Sequence, residues 1–136
     1  MTALTADRDT PEINRPRTRS LPVAADTKIY AGSLVVLSSG YAAPGTAAAG
    51  LVAVGRAAET VDNKGGAAGA ASVTVERGVF RYANSAAGDA IAKADIGATV
   101  YIVDDQTVAK TSAANTRSTA GKVWDVDAAG VWVEIL

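Results

Sequence analysis

From about residue 21 onward the apolar positions fall into short runs, separated every few residues by glycine, proline, asparagine or aspartate. That spacing is the pattern of a sandwich or barrel, and no stripe at helical period competes with it. It predicts strands over 28–30, 33–38, 41–43, 51–58, 72–82, 99–103, 107–110, 122–127 and 131–135. A short turn near 87–95 is the one helical candidate. The intervals 45–50 and 63–71 are rich in glycine and alanine and read as flexible surface loops without a site of their own.

Two details of phase bear on the fold. In 72–82 the apolar residues Val73 and Val75 stand at odd positions, whereas Phe80 and Tyr82 stand at even ones. One residue must be absorbed between them, and Gly78 is the natural seat of a β-bulge, with the bend and extra twist that a bulge brings. The last two runs form a hairpin around Asp127, Ala128, Ala129 and Gly130, where aspartate first and glycine fourth suit a type I turn. If the two alanines make the loop, Trp124 and Val126 share a face with Val131 and Val133, and Trp132 lies outside beside Asp125. A one-residue slip would instead move Trp132 onto the face of Trp124. In the first register Trp132 is a candidate anchor of a subunit interface.

Residues 1–20 behave differently. They mix Pro11 and Pro16 with seven charged residues and have no periodic apolar pattern, so they read as an extended N-terminal arm ahead of a β-rich body at 21–136. Without a continuous apolar run, this stretch is expected to be neither a signal peptide nor a membrane anchor, and the protein to be made in the cytoplasm. Arg15, Arg17 and Arg19 alternate around Pro16, placing three guanidinium groups on one side of an extended chain. The arm is either a solvated tail or a tether that lies along an acidic groove or adds a strand to a neighbouring sheet edge.

Composition narrows the chemistry. A length of 136 residues suits one domain, and the larger apolar residues are dominated by β-branched valine, which favours sheet. The formal net charge of −1 offers no broad cationic field for nucleic acid. The chain contains neither cysteine nor histidine, so disulfides, thiolate nucleophiles, zinc sites built on sulfur or imidazole, and histidine-based catalytic triads are excluded. A body without disulfides must be held by sheet pairing, a thin core and, we expect, association into an oligomer.

The acidic pairs Asp104–Asp105 and Asp125 with Asp127 are the site-like clusters. Adjacent strand residues point to opposite faces, so Asp104 and Asp105 fit a tight turn better than a ligand site. No loop has the spaced oxygens and glycine of a calcium motif, and Gly65, Gly66 and Gly69 lack the lysine and hydroxyl of a phosphate loop. Glycoside hydrolysis by two carboxylates is the best enzymatic alternative, but it needs a deep cleft that a short domain with turn-borne acids seldom builds. No catalytic residue, metal or cofactor is expected.

The stretch Ala94-Asp95-Ile96-Gly97, then Val100 to Val108, Thr116-Arg117, Ala120 to Val123, Asp125 to Asp127 and Gly130 to Ile135, resembles the C-terminal half of phage capsid decoration, or cement, proteins. The likeness covers about the last third of the chain. Upstream, Ala31 to Val36 and Gly55-Arg56-Ala57 are similar to that family's opening strands. The resemblance implies an all-β barrel or β-tulip body on the outside of an assembled tailed-bacteriophage head, often as a homotrimer at local three-fold positions. It implies a structural protein with the major capsid protein as partner, no enzyme, and no nucleic acid or membrane bound. Under it the arm is the tether, with Arg15, Pro16, Arg17 and Arg19 as capsid contacts. The rival reading is a carbohydrate- or surface-binding β-module of a phage fibre or adhesin.

Overall fold

The structure, a computed structural model, describes residues 2–11 and 16–136. In chain order the strands are β1 (Thr18–Pro22), β2 (Thr27–Ile29), β3 (Leu34–Ser38), β4 (Tyr41–Pro44), β5 (Val52–Ala57), β6 (Val61–Asn63), β7 (Ser72–Glu76), β8 (Gly78–Asn84), β9 (Thr99–Ile102), β10 (Thr107–Ala109), β11 (Thr119–Asp127) and β12 (Gly130–Ile135). The fold is all-β, as expected. One sheet has the order β1-β7-β5-β3-β4, five strands close into a barrel in the order β10-β8-β12-β11-β9, and β2 pairs with β6. Closure leaves the barrel without a free edge.

The sequence Leu34-Val35-Val36 is apolar at every position because β3 is buried on both faces. Leu34 and Val36 enter the barrel core with Phe80, Ile102, Val131 and Val133. Val35, between them, points the other way and packs with Val23, Ile29, Val73 and Val75. One strand thus joins two cores, and the period-2 geometry of a strand decides which residue serves which.

The phase change in 72–82 has a different cause from the bulge expected at Gly78. The chain breaks at Arg77 and changes sheets: β7 pairs with β1 and β5, and β8 pairs with β10 and β12 in the barrel. Val73 and Val75 therefore belong to one core and Phe80 and Tyr82 to the other. Gly78, at φ 152°, opens β8 directly after the break and pairs with Ile135.

Four other expectations are adjusted. β1 starts at Thr18, so Thr18, Arg19 and Ser20, placed in the arm from sequence, pair with Glu76, Val75 and Thr74. β6 lay in no predicted strand. The helical turn near 87–95 is two 3₁₀ turns, Ala87–Asp89 and Lys93–Asp95. The loop 63–71 is pinned at its root: buried Asn63 donates its amide to the carbonyls of Ala24 (2.9 Å) and Ala67 (3.1 Å). Likewise Ser118 holds the 45–50 loop, donating to the Ala48 carbonyl at 2.6 Å and accepting from the Leu51 amide at 2.9 Å.

Candidate functional site

Two surfaces carry the residues singled out from sequence. The first is the root of the arm. Residues 2–11 are all exposed and lie in no strand, and Arg15 falls outside the described residues. At Pro16 the chain meets the body, where its carbonyl accepts from Arg77 Nε at 2.8 Å. Arg17 approaches Glu76 Oε2 at 3.4 Å, and Arg56 holds the other oxygen of the same carboxylate at 3.0 Å. The Arg56 guanidinium in turn lies 4.3 Å from the centre of the Phe80 ring. Arg19 is exposed and lines, with Pro16, Leu37, Val52, Val54 and Leu136, a concavity of about 490 Å³. The alternating arginines thus have separate surroundings: Arg17 is paired with a carboxylate and Arg19 opens onto an apolar hollow. The whole root is carried by β1, an edge strand whose outer side is unpaired among the described residues.

The second surface is the outer wall of the barrel at the β11–β12 hairpin. Its turn is the two-alanine loop, with Asp127 opposite Gly130. Asp127 Oδ1 accepts from the amides of Ala129 (2.8 Å) and Gly130 (3.1 Å), and a Cβ on Gly130 would collide with the Tyr82 carbonyl, so aspartate and glycine are both required. Trp132 faces outward beside Asp125, as that register predicts, and is half-buried. Trp124 departs from it. The register shifts between Val123 and Asp125, Val123 and Val126 remain inside, and Trp124 is turned outward with 62% of its surface exposed. Both indoles, with Val79 and Asp125, line one shallow concavity. A bulge in β11 is the feature that strict alternation could not reveal.

The carboxylates serve the backbone. Asp104 accepts from the Gln106 amide at 2.9 Å in the β9–β10 turn, and the Asp105 carbonyl accepts from the Leu34 amide at 2.8 Å. Asp125 is held below the ordinary carboxylate range first by the Lys93 ammonium at 3.1 Å and then by the Val126 amide at 2.8 Å. Asp127 is lowered first by the indole N–H of Trp132 at 2.9 Å, then by the turn amides. Both are ionised at neutral pH. Among the described residues no group of three acidic side chains is placed to hold a metal ion.

No protein-family model matches the chain, and neither a curated protein nor a solved structure matches it.

Proposed function

We propose that this protein is a capsid decoration protein, a structural module that binds the exterior of an assembled phage head and stabilises the shell. One structural observation supports the reading: an arm of exposed residues, 2–11, precedes the edge strand of the β-body, with the Arg19 side chain exposed at its root and unpaired among the described residues. A closed barrel cannot lend a strand, whereas an exposed arm beside an open edge can lie along another surface. The sequence likeness in β9–β12 supports the same assignment. Arg15, Pro16, Arg17 and Arg19 are the proposed contacts to the major capsid protein, the three arginines through charge-assisted hydrogen bonds to carboxylates on the shell.

The mechanism is linkage. A ligand that binds the assembled lattice in preference to its dissociated subunits adds its binding free energy to the stability of the shell. Many weak contacts of a homotrimer repeated over a symmetric surface add through multivalency. No covalent bond is made or broken. The test is deletion of residues 1–15, which leaves Pro16, the Arg17–Glu76 pair and all of β1 in place. The truncated protein should melt within a few degrees of the full chain but co-sediment with undecorated shells far more weakly, having lost the arm and Arg15; undiminished co-sedimentation would defeat the proposal.

A further inference from the structure

The chain has two tryptophans, one on β11 and one on β12, and the fold brings both to one shallow concavity of about 460 Å³. Three features set it apart from a chance exposed aromatic. First, Trp124 is turned out by a backbone irregularity, the register shift beside it, and so cannot turn inward without rebuilding the β11–β12 ladder. Second, Trp132 is immobilised: its Nε1 donates to Asp127 Oδ2 at 2.9 Å and the Arg81 guanidinium sits 5.7 Å from its ring centre. Third, a polar pair borders the indoles, since Asp125 Oδ1 accepts from Lys93 Nζ at 3.1 Å, leaving carboxylate lone pairs open to further donors.

The charges select the ligand. Those at the border of the concavity cancel, Asp125 being paired with Lys93 and Asp127 lying within the field of Arg81, so the surface attracts neither a phosphate backbone nor a quaternary ammonium, the usual charged guests of exposed indoles. A dry protein contact would have to desolvate the Lys93–Asp125 pair without replacing its water. A neutral ring with one C–H face and a rim of hydroxyls meets all of these conditions, stacking on the indole and hydrogen-bonding the ion pair.

We propose that the Trp124–Trp132 concavity is a binding site for a neutral saccharide, with the exposed face of Trp124 as stacking platform and Asp125 and Lys93 as hydroxyl partners. The site is independent of the arm and of shell binding. Because no other tryptophan exists in the chain, indole emission reads the site directly. The experiment titrates the full-length protein with cellotetraose, chitotetraose and mannotetraose. At least one should shift the emission saturably, and Trp124→Ala and Asp125→Asn should each weaken it about tenfold or more, with Trp124→Phe retaining part of the affinity. No response to any of the three up to about 10 mM overturns the proposal. So does preferential saturation by choline or by a single-stranded oligonucleotide. So does dissociation of an oligomer on Trp124→Ala, which would make the face a contact between copies.

Discussion

At the residue scale, one side chain is at odds with its surroundings. The Tyr82 hydroxyl is buried in the barrel and has no hydrogen-bond partner among the described residues. Burial pushes its ionisation far above the ordinary tyrosine value, so it stays neutral throughout the accessible range. An unmet buried hydroxyl carries a desolvation penalty of about 1–3 kcal/mol. Tyr82→Phe should therefore leave the denaturant midpoint unchanged or raise it. A loss of more than about 1 kcal/mol would mean that the hydroxyl has a partner after all. Asn63 is the opposite case, a buried amide whose hydrogen bonds to Ala24 and Ala67 are its reason for being there.

At the scale of elements, the segment between β10 and β11 is tied down by one carboxylate. Asp89, in the first 3₁₀ turn, accepts from Thr111 Oγ1 at 2.7 Å and from Arg117 Nη1 at 2.7 Å. The Thr111 hydroxyl first and Arg117 second hold its carboxyl below the ordinary value of 3.8. A depressed carboxyl contributes stability that is complete above its unfolded value and is lost as pH falls through its folded one. Asp89→Asn should accordingly melt below the native protein at about pH 7, and the gap should close towards about pH 2. A gap that persists in acid would assign the loss to packing instead. The sequence contains Asp89, Thr111 and Arg117, but nothing in their spacing of 22 and 28 residues announces that they meet.

At the scale of the whole molecule, the barrel and the open sheet share β3. Leu34 and Val36 serve one core and Val35 the other, so neither core survives without that strand. Leu34→Ala should cost about 2–5 kcal/mol, a large fraction of the stability of a domain this size. It should lower both halves together. Indole fluorescence reports the barrel, where both tryptophans lie, and far-ultraviolet circular dichroism reports all the strands. The two midpoints should fall by the same amount; a shift in fluorescence alone would show two separately folding units.

The all-β class, the two-alanine hairpin, the Asp104–Asp105 turn and the outward position of Trp132 were all legible in the chain, because strand periodicity and turn chemistry are local properties. Strand membership was not. Val73, Val75, Phe80 and Tyr82 display a phase change in sequence, but whether a bulge or a change of sheet absorbs it depends on which distant strands pair on either side. β1 and β6 were missed since charged or very short segments become strands only when a neighbour offers its hydrogen bonds. The meeting of Trp124 and Trp132 likewise required the shifted ladder between β11 and β12. Local composition thus determined what kind of backbone this protein makes, and long-range pairing, invisible in any single stretch, decided where its surfaces fall.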